Sequence, residues 1–283
     1  MRGERGWPEV ALCDGIGCMG YVWKYLEQAL EEHKWRQVHW HYRGHGRTPM
    51  PLDPRRVAIA DLADDLAAVL DATNVEKAVL AGHSMGVQVV LETYRRHRDR
   101  VAGMMLMCGS YGNPLRTFHG RRTLETILPW VRLMGATTPR VVRAIWRNMI
   151  PTELSYIVAK TVEVNPELIR REDFFPYLEG IAKVDPLLFG EMLAHAGRHS
   201  ARELLSEIDV PVLVIAGDRD GFTPMALSKT MGEKIPRAEL LVVEGGSHTT
   251  PIEKPELVNG TVLDFLERRI RTAKPKKRER SKS

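Results

Sequence analysis

Short apolar runs alternate with stretches of helical period along most of the chain. Glu9–Cys13 reads as a buried strand ending in a glycine loop, and 21–32 (YVWKYLEQALEE) as an amphipathic helix. A second strand is expected over Gln37–Tyr42. Ile59, Leu62, Leu66, Val69 and Leu70 then share one face of a helix that ends near Ala72. Val79–Ala81 closes a third strand, and the residues after Gly86 place Val87, Val90 and Leu91 on one helical side. Further strands are expected over Val101–Met107, Pro211–Ala216 and Leu240–Val243, before a last helix over Pro255–Ile270. Strands alternating with helices predict an α/β fold built on a mostly parallel sheet, covered on both faces. Residues 109–209 break this rhythm with helical patterns and no convincing strand, which predicts a helical insertion lying over the C-terminal edge of the sheet.

Length and charge sharpen the picture. A chain of 283 residues holds one large α/β domain with an insertion, or two small domains. The net charge of +5 sits in the tail from Thr272, which carries six Lys/Arg and one Glu; residues 1–271 are therefore neutral overall. A disordered, solvated tail over 272–283 is expected, with no specific nucleic-acid partner. No apolar run approaches the ~20 residues of a membrane span, and the first residues lack the apolar stretch of a signal peptide, so a cytoplasmic location is expected. Cys13, Cys18 and Cys108 form no disulfide or metal-ligand pattern. No metal-binding spacing, phosphate loop or dinucleotide loop is present, so no cofactor or metal is expected.

The candidate chemistry begins at 79–87, VLAGHSMGV. Ser84 lies between two glycines at a strand-to-helix corner, where a tight turn leaves no room for side chains two positions either way. The amide of Met85 opens the following helix and can face a developing negative charge. A serine nucleophile also needs a base and an acid that orients the base. Asp218 and Asp220 follow the strand at 211–216, and His248 follows the next strand in the loop EGGSHTTP. Parallel strands put all of these on one rim of the sheet. His45 and His83 are expected to be structural, since neither has a placed partner acid.

With GHSMG at 82–86, RGHGRT at 43–48, GDRD at 217–220 and GSHTTPIEKPE at 246–256, the chain resembles the α/β-hydrolase fold superfamily over about residues 9–270. The likeness is to its capped branch of esterases, C–C hydrolases and cofactor-free haloperoxidases. The resemblance implies a core of residues 1–110 and 207–271, a helical cap over 111–206, and Asp220 rather than Asp218 as the acid. Asp218 then braces its loop. The implied mechanism is acyl transfer through Ser84, with Met85 and Ile16 supplying the two oxyanion-hole amides. A small or medium apolar ester, thioester or lactone is the expected substrate. C–C hydrolysis, acyl transfer to an acceptor other than water, and a non-catalytic ligand-binding role are the alternatives, and homodimerisation is open.

Two departures from the family stand out. Where most relatives have His-Gly in the first loop, this chain has Asp14-Gly15. Either Asp14 turns away to pair with Arg43 or Arg47 of the RGHGRT loop, or its charge weakens the oxyanion hole. Only eight residues precede the first strand, where relatives carry an extra strand pair. A sheet of about six strands with 37–42 at its edge is expected, or else a truncated start. The insertion supplies Trp130, Met134, Trp146, Met149, Phe174, Phe175, Tyr177, Phe189 and Met192. Most are expected in its own core, and some against an apolar acyl pocket.

Overall fold

The computed structural model describes residues 1–116, 126, 129, 133–134, 137–162 and 164–272. Trp130 and the tail beyond Thr272 lie outside the described residues. Six parallel strands form one sheet: β1 (Glu9–Cys13), β2 (Arg36–His39), β3 (Ala78–His83), β4 (Val101–Met107), β5 (Val212–Gly217) and β6 (Ala238–Val243), in the order β2-β1-β3-β4-β5-β6. Every residue of β3 and of β5 is buried, which explains why both read as continuous apolar runs rather than alternating ones.

The two faces of the sheet carry separate apolar layers. On one, α2 (Ile59–Ala72) and α3 (Met85–Arg96) pack Leu62, Leu66, Leu70, Val87 and Val90 against Leu80 and Leu106. On the other, α1 (Lys24–Glu32) and a helix over Pro255–Phe265 pack Leu26, Leu30, Val258 and Val262 against Leu12 and Ile215. The N-terminal part of the expected 21–32 helix is a 3-10 turn (Tyr21–Trp23) that swings Trp23 inward. The C-terminal helix ends in a π turn over Leu266–Arg271.

β2 is shorter than its pattern predicts. Past His39 the chain leaves the sheet, and Tyr42 turns inward so that its hydroxyl donates to the Asp14 carbonyl at 2.7 Å. β2 is the sheet edge, and Arg2 covers part of it through a reciprocal antiparallel pair with Gln37 (3.1 and 2.9 Å).

Between β4 and β5 the described residues form α4 (Pro139–Met149), α5 (Glu153–Val162), α6 (Arg171–Lys183) and α7 (Pro186–Arg198). α7 is started by Asp185, whose carboxylate accepts from the Leu187 and Leu188 amides. Phe174, Tyr156 and Leu178 make a small core of their own with Ile252. Asp173, buried on α6, takes hydrogen bonds from Lys24 Nζ (2.5 Å) and Tyr25 Oη (2.8 Å), while Tyr177 stacks on Tyr21 at 4.8 Å. These contacts seat the inserted helices on α1 and the turn before it.

Candidate active site

Ser84 occupies a backbone conformation that side chains rarely adopt, φ 56° and ψ −119°. The corner works because two glycines let backbone approach backbone. A Cβ on Gly82 would lie 2.5 Å from the Gly86 carbonyl oxygen, and one on Gly86 would lie 2.2 Å from that of Cys13. The Ser84 amide still joins the sheet by donating to the Met107 carbonyl at 3.1 Å.

The residues expected as partners converge on this corner. His248 Nε2 is 2.9 Å from Ser84 Oγ, and His248 Nδ1 is 3.0 Å from Asp220 Oδ2. The carboxylate can only accept, so Nδ1 carries the ring proton and Nε2 is free to accept from the serine hydroxyl. Asp220 is held in turn by the Phe222 and Thr223 amides (2.8 Å each) and by the Thr223 hydroxyl (2.7 Å). Burial pushes the Asp220 carboxyl up, but the neighbouring His248 charge and these hydrogen bonds outweigh it and hold the group below its usual range. Asp218 accepts from the Gly245 amide at 2.8 Å, so it braces the loop.

Met85 and Ile16 both line a cavity of about 260 Å³ that opens on Ser84 and His248. The first loop lies directly beside the serine, since a Cβ on Gly15 would sit 3.1 Å from Ser84 Cβ. The inserted helices contribute Tyr177, Phe189 and Leu193 to the cavity wall. Phe174 and Met192 are packing residues, and Phe175 packs beside the small insertion core. Trp146 donates to the Ile181 carbonyl and leans on Phe189 at 5.2 Å. Met134 and Met149 do not serve the insertion's core; both are more than half exposed.

The expected pairing of Asp14 with Arg43 or Arg47 is not what forms. Arg43 makes a two-pronged ion pair with Asp65 (2.7 Å for each prong), and the Arg47 amide reaches His41. Asp14 is buried and accepts instead from the Trp23 indole (2.8 Å) and from His39 Nε2 (2.9 Å). The sheet register explains the change: Leu12 of β1 pairs with His39 of β2, so His39 arrives beside the loop while the arginines leave with the turn. Burial pulls the His39 ring down, but the bond to Asp14 and the charges of Asp14 and Glu27 outweigh it and raise its pKa. The carboxylate next to the loop thus favours a proton on this ring, and the proton, where bound, counters the carboxylate charge.

His45 and His83 have structural roles, as expected. His45 Nε2 accepts the Gly17 amide at 3.2 Å, and burial lowers the pKa of the ring. His83 Nε2 donates to the His248 carbonyl at 2.9 Å. Burial first, then the His248 charge, depress its pKa to about 3, against the opposing pull of that carbonyl. The folded protein therefore refuses a proton that the unfolded chain takes up below about pH 6.5, so His83 costs stability as pH falls from there toward 3. His45 acts in the same sense. His39 acts in the opposite sense: its contribution is fully present below 6.5 and is lost as pH rises from there through its raised folded value. Urea unfolding at pH 7 and pH 5 tests the His83 share. Replacing His83 by Gln is expected to shrink the loss between the two by about 2 kcal/mol; an equal loss in both proteins would refute the assignment.

Two supporting residues, Trp23 and Thr223, carry no signal in the linear motifs, and a third, Glu253, lies inside the 246–256 motif without having been singled out. Trp23 and Thr223 are placed by turns, and the cue for Glu253 is a cluster of hydroxyl residues and a carboxylate (SHTTPIE) in a stretch that is otherwise buried.

The chain belongs to the alpha/beta hydrolase fold family, whose model matches residues 8–255. It is an enzyme of the hydrolase class. It is 30% identical over 261 residues to a protein of Caulobacter vibrioides named as the putative carbamate hydrolase RutD, covering 91% of this chain and 90% of that one. Among solved structures it is similar to the enol-lactonase from Burkholderia xenovorans LB400, with a TM-score of 0.75, 22% identity and 94% of each chain covered. A bromoperoxidase from Bacillus anthracis gives the same TM-score at 19% identity, covering 94% of this chain and 93% of that one. Among the described residues no helix is long and apolar enough to cross a membrane.

Proposed function

We propose that the protein hydrolyses a small apolar ester, thioester or lactone through an acyl-enzyme on Ser84. The observation that carries this reading is the unbroken hydrogen-bond chain Ser84–His248–Asp220 opening on an apolar cavity. In the proposed sequence His248 Nε2 takes the hydroxyl proton as Ser84 Oγ attacks the carbonyl. Asp220 stabilises the imidazolium, and the Met85 and Ile16 amides receive the oxyanion. The proton passes from Nε2 to the leaving group. Water then repeats the steps and releases the acid.

Residues 111–206 act in this reading as a cap over a core of 1–110 and 207–271, keeping water from the reacting carbonyl. The three cysteines, all buried and none in a disulfide, suit a reducing, cytoplasmic setting. The relative named as a carbamate hydrolase favours a second substrate class with the same acyl chemistry, so carbamates belong beside esters and lactones in a substrate panel.

A fluorophosphonate probe tests the mechanism. One adduct per chain, mapped to Ser84, is expected; folded protein that takes no adduct would leave a ligand-binding role as the better reading.

A further inference from the structure

Glu253 is a carboxylate almost sealed from solvent, in the short helix that follows His248 (Thr250–Glu253). Four donors converge on it. Oε2 accepts the Ser247 amide at 2.7 Å. Oε1 accepts the Ser247 hydroxyl at 2.5 Å, the Thr249 hydroxyl at 3.0 Å and the Asn165 amide at 2.9 Å. The chain is therefore gripped on both sides of His248, one residue before and one after. A buried carboxylate this well supplied with donors holds its surroundings firmly, because each lost donor leaves charge unanswered in a dry site.

The fourth donor comes from elsewhere in the fold. Asn165 lies in the insertion, between α5 and α6, and makes a second bond from its side-chain amide to the Gly245 carbonyl at 2.7 Å. One residue of the insertion thus reaches the histidine loop at two places. Neither Asn165 nor Glu253 lines the cavity.

We propose that Glu253 is a positioning residue for His248, and that Asn165 makes this positioning depend on how the inserted helices are seated. The inference rests on the acyl-enzyme reading for its kinetic consequence. The base must hold Nε2 on the serine hydroxyl while Nδ1 stays on Asp220. A loop freed on one side lets the ring lose one bond or the other, and the rate of the chemical step falls while the pocket keeps its shape.

Inactivation by the fluorophosphonate, followed against probe concentration in the full-length protein, separates the two effects. Glu253→Gln is expected to lower the maximal inactivation rate by about tenfold or more, with half-saturation within twofold of wild type. Asn165→Ala, which removes the Gly245 contact but keeps the backbone amide on Glu253, is expected to show the same pattern at about three- to fivefold. Nitrogen-15 spectra of the histidines give a readout that needs no reaction: His248 is expected as a single Nδ1–H tautomer in wild type and as a mixture in Glu253→Gln. A folded Glu253→Gln with unchanged rate and unchanged tautomer would overturn the proposal. So would an Asn165→Ala whose only change is in half-saturation, and that variant carries the test if Glu253→Gln does not fold. A wild type that takes no label sinks the acyl-enzyme reading instead, and the tautomer comparison then decides the positioning role by itself.

Discussion

Replacing His248 by Ala is expected to lower ester hydrolysis by about 10⁴-fold or more, with the protein still folded. A serine hydroxyl does not ionise near neutral pH, so its nucleophilicity comes from the base that takes its proton; removing that base in serine hydrolases forfeits most of the rate. Among the described residues no neighbouring histidine can take over. The His83 ring is close, with centroids 5.0 Å apart, but its Nε2 is committed to the His248 carbonyl and its pKa of about 3 makes it a poor base. His45 faces the Gly17 amide. Steady-state hydrolysis of an activated ester, with near-UV circular dichroism as the folding control, measures the effect. A fall of less than tenfold would mean that Ser84 is not activated through His248.

Gly86→Ala is expected to cost more than about 4 kcal/mol of stability, at the upper end of what single substitutions do. The new methyl would meet the Cys13 carbonyl oxygen at 2.2 Å and that of Asp14 at 2.8 Å, both backbone atoms fixed by β1 and the loop after it. No rotamer change relieves such a clash; either α3 moves off the sheet or the first loop moves off Ser84. Activity should be lost with stability. Gly260 is the internal control: it lies in the Pro255–Phe265 helix with nothing within 4 Å of a built Cβ. Gly260→Ala should stabilise by about 0.5–1 kcal/mol. Urea denaturation of both variants compares the two, and equal effects would show that the corner tolerates a side chain.

The fold was legible because its inner strands, β3 and β5 above all, are buried on both faces. An uninterrupted apolar run such as PVLVIA, bounded by glycine and polar loops, is too short for a core helix and too apolar for the surface. The serine, the histidine and the two candidate aspartates were legible for the same reason: each follows the end of such a run. The residues alone left Asp218 and Asp220 open and only the resemblance chose Asp220; the loop's turn aims that carboxylate at His248 and the other at the Gly245 amide. The partner of Asp14 was not legible. It depends on which residue of β2 comes level with Leu12, and the early exit of that strand after His39 leaves no mark in its apolar pattern. Glu253 and Asn165 meet across 88 residues of sequence, a distance no local pattern spans.

The placement of the insertion has a consequence for how the protein can change. It leaves the core after β4 and returns at β5, and these two strands are direct neighbours with Met104 level with Val212 and Met107 level with Ile215. Ser84 lies on one side of this seam, and Asp220 and His248 lie on the other. Backbone hydrogen bonds already join the two sides. Apart from the tether at Asn165, the described residues between them are therefore not what holds Ser84, Asp220 and His248 in place. Loop-closure entropy grows only slowly with length, which leaves that segment free to lengthen, shorten or be exchanged at modest cost. Selectivity for the substrate and the chemistry performed on it can therefore vary largely independently, one in the bridge and the other in the seam.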